Sequence, residues 1–250
     1  TIGTHLIKYD ISNNTATSKV SIVHSNNTAR YYTPAFEPST DKVFTPLGQY
    51  VDIFDAATLA YSGSINMATP SGGNNNAAYI VIVNTDDDEV LIASKEGFTI
   101  FNPVTHAITG TGLFSSYSEI TNGRYNSAEG KYYIGAAGSS PNSKPKIAVI
   151  NASNNSLTSV EISESGGNNN NRTTGIALDT VRNFIWCMND DRKIASLDCT
   201  DNSVTHYDTT FAGTNYAVMP YVLNDKLFIG SQVDNNSGKV YQLTTVINDG

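Results

Sequence analysis

VDIFD (Val51–Asp55) is one of six short apolar runs that recur through the 250-residue chain and end on a polar or hydroxyl residue. The others are LIKYD, FTIFN, IAVIN, IASLD and VYQLT, which end at Asp10, Asn102, Asn151, Asp198 and Thr244. Taken in order, the six end positions are separated by 45, 47, 49, 47 and 46 residues. A repeat of nearly constant length indicates one structural unit that is used several times.

In a complete unit, a turn and three more strand-like segments accompany the run. A turn follows it, such as ASNNS after IAVIN, because Asn and Asp side chains favour turns by bonding to the backbone two residues on. A strand-like segment such as SLTSVEI (156–162) comes next, and an apolar segment such as KYYIGA (131–136) precedes the run. A first segment, clearest in AAYIVIV (77–83), completes the unit. Four short strands per repeat without helical periodicity are typical of a β-propeller blade.

We therefore predict an all-β protein, a β-propeller of six four-stranded antiparallel blades, with five or seven as alternatives. A β-sandwich would lack the repeat, and a β-helix would repeat at about half this length or less. The first unit has no segments for its two inner strands, and the last has no clear outer one. Closure of the ring by the terminal strands and a section of a larger propeller both stay open. The predicted blade units of the single domain are residues 1–24, 25–70, 71–117, 118–164, 165–211 and 212–250.

Composition limits the classes of partner. The chain is 39% apolar and 10% aromatic, with 14 Tyr, which is enough for a substantial β-rich core. Its formal charge of −8 and its 15 Lys plus Arg give no electrostatic footprint for nucleic acid. No apolar run approaches the roughly 18 residues of a membrane span. We expect neither a nucleic-acid partner nor membrane insertion.

Several blades resemble known propeller repeats. VDIFDAAT (51–58), FTIFNPVT (98–105) and IAVIN (147–151) resemble the YVTN family of surface-layer and secreted β-propellers. TTGIALDTVRNFIWCMNDDRKIASLD (173–198) is similar to a blade of NHL propellers and of the YWTD propellers of low-density-lipoprotein receptors. The resemblance covers nearly the whole chain at blade level and implies an extracellular or surface propeller. It does not fix a function, because these families include adhesion, scaffolding and enzymatic roles.

Motifs of catalysis and metal binding are missing from the sequence. Its four histidines, His5, His24, His106 and His206, have no metal-ligand spacing. The acidic segment TDDDE (85–89) lacks the D-x-D-x-D-G spacing of a calcium loop, so we predict a solvated hairpin turn. The first-strand entrances do not carry the Glu, Asn and Asp set that a resemblance to lactonase-type propellers would imply. We expect no catalytic residue, no metal and no cofactor.

The two cysteines are predicted to be free. In a hairpin of strands 184–188 and 193–198, Cys187 lies opposite Ile194, and Cys199 is five positions further along. That separation exceeds the roughly 7 Å between Cα atoms that a disulfide can bridge.

The connectors into the first strands carry a recurring order of Asn, often Arg, and then Tyr. They read SNNTARYY (25–32), SGGNNNAAY (71–79), TNGRY (121–125), SGGNNNNRTTG (165–175) and AGTNYAV (212–218). In a propeller such connectors share one face around the mouth of the central channel. Flat Tyr and Arg groups with Asn amides suit a glycan or protein ligand, although the structural alternative, polar connectors and Tyr packing between blades, explains them better. The candidate ligand-binding residues are Arg30, Tyr31, Tyr79, Arg124, Tyr125, Arg172 and Tyr216.

Six N-x-S/T sequons are candidate N-glycosylation sites if the chain is made in a eukaryotic secretory pathway. They begin at Asn13, Asn26, Asn151, Asn154, Asn171 and Asn235.

Together these features favour a non-catalytic extracellular, cell-surface or virion-surface propeller. It would bind a glycan or a protein, or form part of a larger structural assembly. The alternative is a metal-dependent lactonase or lyase with its site in the central channel.

Overall fold

The computed structural model describes residues 5–22, 34–47, 50–66, 80–114, 117–138, 144–162, 173–189, 193–210, 220–224, 226–234 and 237–243. In these ranges the chain forms 21 β-strands and no helix, and hence no helix able to cross a membrane. The described strands make six antiparallel sheets of two to four strands. The predicted all-β propeller class is confirmed.

The chain separates into two compact units, Thr1–Ser115 and Ser116–Gly250. Three sheets belong to the first unit: β1 (His5–Asp10) and β2 (Thr15–Ser21); β3 (Ala35–Glu37), β4 (Lys42–Leu47), β5 (Tyr50–Asp55) and β6 (Tyr61–Asn66); and β7 (Ile80–Asn84), β8 (Glu89–Ala93), β9 (Gly97–Phe101) and β10 (Ile108–Leu113).

Three sheets belong to the second unit: β11 (Tyr117–Asn126), β12 (Lys131–Gly138), β13 (Lys146–Asn151) and β14 (Leu157–Glu161); β15 (Thr173–Asp179), β16 (Phe184–Asn189), β17 (Lys193–Asp198) and β18 (Val204–Thr210); and β19 (Pro220–Leu223), β20 (Lys226–Asp234) and β21 (Ser237–Leu243). Strands of each sheet follow one another in chain order. Every sheet falls in one predicted blade range, except that β11 begins one residue before residue 118.

First strands meet the first strands of neighbouring blades. In the first unit β3 contacts β7, and in the second unit β11 contacts β15 and β15 contacts β19. The middle strands are buried nearly throughout, as in β8, β9, β12 and β13, because a blade is covered on both faces. The outer strand β10 alternates exposed and half-buried residues. Fully burying one Ile, Leu or Phe of a middle strand contributes about 1.5–3 kcal/mol.

The predicted turn is confirmed after the five apolar runs that end at Asp10, Asp55, Asn102, Asn151 and Asp198, while the end of VYQLT at Thr244 lies outside the described residues. At residues 55–59, Asp55 Oδ1 accepts the N–H of Thr58 at 2.9 Å, and Leu59 takes a positive φ of 59°. The N–H of Leu59 donates to the Asp55 carbonyl at 2.8 Å. Three turns repeat the cap, the backbone bond and the positive φ four residues later: 102–106, 151–155 and 198–202.

A second set of caps was not predicted. Four first strands end on a buried residue whose side-chain oxygen accepts backbone N–H groups of the following turn. The residue four positions later has a positive φ, because the chain must reverse there. The caps are Glu37, Asn84, Asn126 and Asp179, and the turning residues are Asp41, Asp88, Gly130 and Asn183.

Both cysteines are free, as predicted, and the structure shows that both are also buried. The predicted register is wrong by one residue, since Cys187 lies opposite Ala195. The cause is that β16 runs one residue further, to Asn189, so the hairpin turn is shorter than predicted.

Candidate functional site

Only two of the predicted ligand-binding residues fall in the part of the chain that the structure describes. Arg124 and Tyr125 lie in β11. The other five lie outside the described residues: Arg30, Tyr31, Tyr79, Arg172 and Tyr216.

The placement predicted for Arg124 and Tyr125 is wrong. TNGRY is not a connector, because residues 121–125 lie inside β11, near the end that leads to the turn at 126–130. A bulge between Ile120 and Gly123 admits the Thr-Asn-Gly sequence into the strand. Thr, Asn and Gly ordinarily indicate a loop, and this bulge is the physical reason that they lie within a strand here.

Asn122, inside that bulge, joins two neighbouring blades. Its side chain is 1% exposed, and its Nδ2 donates to the Ile176 carbonyl at 3.0 Å. The Ile176 N–H in turn donates to Asn122 Oδ1 at 2.9 Å. The amide therefore satisfies both backbone groups of one β15 residue, as a paired strand residue would. Asn122 thus fixes the position of β11 along β15 at the interface between their two sheets.

A second polar contact joins the same two blades near the following turn. Asn126 Nδ2 donates to Asn183 Oδ1 at 2.7 Å, and Asn183 Nδ2 donates to Glu129 Oε1 at 2.8 Å. The bond from Asn183, with a smaller contribution from Lys131, holds the pKa of Glu129 below its usual value. Lys131 Nζ also donates to the Cys199 carbonyl at 2.9 Å. These groups stabilise the interface between blades.

Asp179 is buried at 1% exposure and serves as a cap. Its Oδ1 accepts the N–H of Arg182 at 3.1 Å, and its Oδ2 accepts Arg182 Nη1 at 2.9 Å and Trp186 Nε1 at 3.2 Å. Burial opposes ionisation, but the bonds from Trp186 and Arg182 together hold the pKa of Asp179 below its usual value. Because these bonds come from its own hairpin, the Asp179 carboxylate stabilises that hairpin and has a structural role.

Arg124 of β11 makes no side-chain contact of this kind to a neighbouring blade among the described residues. Its half-buried guanidinium donates from Nη1 to the carbonyl of Gly123 at 2.7 Å. Loss of solvent lowers the pKa of Arg124, while the nearby Tyr221 of β19 acts in the opposite direction. Among the residues described, no carboxylate forms an ion pair with Arg124. Tyr221 is 58% exposed, so an accessible tyrosine of β19 lies within electrostatic range of the Arg124 cation.

Tyr125 has a packing role. Its ring lies 4.9 Å from the ring of Tyr132, measured between centroids, at an angle of 50°. This contact agrees with the alternative recognised in the sequence, Tyr as a packing residue, and a ligand contact of Tyr125 stays a prediction.

The remaining candidates are surface features. Asp86, Asp87 and Asp88 form an exposed hairpin turn, as predicted for the acidic segment. Over the described ranges, no three His, Cys, Asp or Glu residues are grouped as a metal site would need.

Of the sequons, those at Asn13 and Asn154 are exposed and that at Asn151 is half-buried, while Asn26, Asn171 and Asn235 lie outside the described residues.

Known structures share this fold. Hydrazine synthase of Kuenenia stuttgartiensis superposes with a TM-score of 0.73 over 97% of this chain and 78% of its own, at 8% identity. U3-55K gives 0.66 over 95% and 71%, at 11% identity, and a chain of the mitotic checkpoint complex gives 0.68 over 94% and 67%, at 10%. No protein family and no curated protein matches the sequence. At such low identity the likeness concerns the fold alone: the chain is a β-propeller.

Proposed function

We propose that the chain is a non-catalytic binding module whose ligand is an acidic glycan held at the first strands of the second unit. The observation that carries the proposal is the half-buried Arg124 guanidinium, which has no carboxylate partner among the described residues and lies within electrostatic range of the exposed Tyr221.

A guanidinium that is partly removed from water loses hydration, and that loss is costly unless acceptors replace the water. Arg has five N–H donors, and within the described residues Arg124 donates to the Gly123 carbonyl. The buried amide of Asn122, two residues away, is by contrast matched by both backbone groups of Ile176. Arg124 therefore has donors left for a ligand.

The neighbouring groups favour a sugar that bears a carboxylate. A guanidinium binds a carboxylate through two parallel hydrogen bonds. An exposed Tyr ring offers a flat apolar surface with a polar hydroxyl, which suits the face of a sugar. A protein partner with an exposed Asp or Glu is the competing ligand, and binding of such a partner in place of any glycan would count against the proposal.

Two finer points belong to the same proposal. We place the module outside the cell or on a cell or virion surface, in keeping with its acidic, Asn-rich sequence and its exposed sequons at Asn13 and Asn154. We also assign its blades to the YVTN type, because an apolar run followed by an Asx-capped turn recurs in successive blades.

The test is a glycan-array screen of the 250-residue chain, followed by titration of the best acidic glycan against variants. Arg124→Ala should weaken binding about tenfold or more, and Arg124→Lys should restore part of it, because Lys keeps the charge without the fork. Lys19→Ala is the matched control, since it removes one positive charge from an exposed position on β2. The proposal fails if no acidic glycan binds, or if Arg124→Ala binds as tightly as Lys19→Ala.

A further inference from the structure

The sequence contains one Asn-Gly pair, and the structure places it where two blades meet. The pair is Asn122–Gly123, inside the bulge of β11. Asn followed by Gly is the dipeptide most prone to spontaneous deamidation, because Gly has no side chain to hinder the approach of its backbone nitrogen to the Asn side chain. The contacts of Asn122 decide whether this reaction can take place in the folded chain.

The reaction has two steps. The Gly123 nitrogen attacks Cγ of Asn122, so that an N–Cγ bond forms, the Cγ–Nδ2 bond breaks, and ammonia leaves with the proton of the Gly123 N–H. Water then opens the cyclic imide. Cleavage of the imide at Cγ gives Asp, and cleavage at the backbone carbonyl carbon of residue 122 gives isoaspartate, in which the chain continues through the side chain. Either product carries a carboxylate, and the net reaction consumes water and releases ammonia.

In the folded chain both ends of the Asn122 amide are held away from this reaction. Nδ2 donates to the Ile176 carbonyl at 3.0 Å, and Oδ1 accepts the Ile176 N–H at 2.9 Å. Movement of Cγ onto the Gly123 nitrogen would break both bonds and take from two buried backbone groups of β15 the partner that satisfies them, which is costly. The side chain is also 1% exposed, so water has little access to an imide there. The reaction therefore requires β11 to separate from β15.

We propose that Asn122–Gly123 is a deamidation site that the closed interface between β11 and β15 protects and that reacts when this interface opens. The modified chain cannot restore the interface. A carboxylate at residue 122 has no N–H to donate to the Ile176 carbonyl, and it places a negative charge against that carbonyl at a buried position. Isoaspartate also lengthens the backbone inside the bulge. Modification thus makes a transient opening permanent and limits the lifetime of the folded second unit.

One tryptic peptide reports this site alone. Cleavage after Lys95 and Arg124 releases residues 96–124, which contain Asn102 and Asn122 and no other Asn. Asn102 precedes Pro103, whose nitrogen carries no hydrogen and cannot form the imide. The mass gain that accompanies replacement of an amide by a carboxylate in this peptide therefore measures the modification of Asn122.

The first measurement is the rate of this mass gain at mildly alkaline pH, in the folded chain and in concentrated urea. The rate should be about tenfold or more lower in the folded chain, because the reaction there waits for the interface to open. Asn155→Gly is the matched control. It makes an Asn-Gly pair at the exposed Asn154, in a turn where residue 155 has a φ of 59° that suits Gly. In the folded variant Asn154 should react about fivefold or more faster than Asn122 of the same sample.

The second measurement tests the consequence of the modification. The chain is held in urea until Asn122 is partly modified, then diluted into buffer, and the refolded chains are separated from those that stay unfolded or aggregate. Modified Asn122 should be about fivefold or more scarcer among the refolded chains than among the rest. Equal modification of the two fractions would overturn the proposal. So would an Asn122 that reacts as fast in the folded chain as in urea, or as fast as Asn154 of the folded Asn155→Gly variant.

Discussion

The two units join their neighbouring blades in different ways. In the first unit the described contact between the second and third sheets is an apolar cluster, in which Phe44 and Phe101 meet edge to face at 5.7 Å. In the second unit an apolar cluster around Tyr133 and Ile176 is supplemented by Asn122, whose amide pairs with backbone. Apolar contacts stabilise an interface without a preferred direction, whereas the two directional hydrogen bonds of Asn122 also fix where β11 lies along β15. The comparison predicts that the two interfaces respond differently to substitution.

The largest effect is expected from the apolar interface. Phe101→Ala should lower the free energy of unfolding by about 3–5 kcal/mol, because it leaves a cavity beside Phe44 where the ring is 0% exposed. Urea denaturation measures the change. Phe36→Ala is the control, since Phe36 is 53% exposed in β3, and a loss as large as that of Phe101→Ala would contradict the account.

A smaller but more local effect is expected at the polar interface. Asn122→Ala should cost about 1–3 kcal/mol, since it leaves the buried N–H and carbonyl of Ile176 without their partner. Hydrogen exchange should locate the loss at the Ile176 amide. Asn154→Ala in an exposed turn is the matched control. Unchanged protection of Ile176 in Asn122→Ala would show that the amide does not hold β15.

Asp179 adds a pH dependence to the second unit. Its folded-state pKa lies below its ordinary value of 3.8, so its stabilising contribution is present above that pH and is lost as the pH falls below it. Asp179→Asn should therefore be less stable than the wild type at pH 6, with a difference that narrows toward pH 3. Thermal melts across this range measure it. Trp186→Phe removes one donor to Asp179, so the change of its thermal midpoint between pH 6 and pH 3 should lie between the changes of the wild type and of Asp179→Asn. A difference between the wild type and Asp179→Asn that stays constant over this pH range would refute the assignment.

Most of the architecture follows from local pattern. The apolar run and its Asx turn recur with little change in length, and both act within one hairpin, so the sequence predicts strands 3 and 4 of each blade directly. The caps Glu37, Asn84, Asn126 and Asp179 carry a weaker signal, because they are spaced by 47, 42 and 53 residues. They could have been found in the sequence as polar residues that lie four positions before an Asp, Asn or Gly, the residue types that adopt a positive φ most readily.

The site was less predictable for a physical reason. Asn122 finds its partner 54 residues away, on another blade, and no local pattern encodes that contact. The bulge in β11 places loop-like residues inside a strand and moves Arg124 away from the predicted connector. The prediction that Arg124 is available to a ligand rests on long-range contacts, which only the folded chain reveals.

The central claim is that Asn122 and Asp179 hold the second unit together while Arg124 serves a ligand. The most direct measurement is the thermal midpoint of Arg124→Leu against the wild type without ligand. A half-buried charge that does not serve stability can be replaced by an apolar side chain at no loss, and often with a gain. We predict an unchanged or higher midpoint for Arg124→Leu. A fall as large as that of Asn122→Ala would contradict the account, since it would make Arg124 a structural residue.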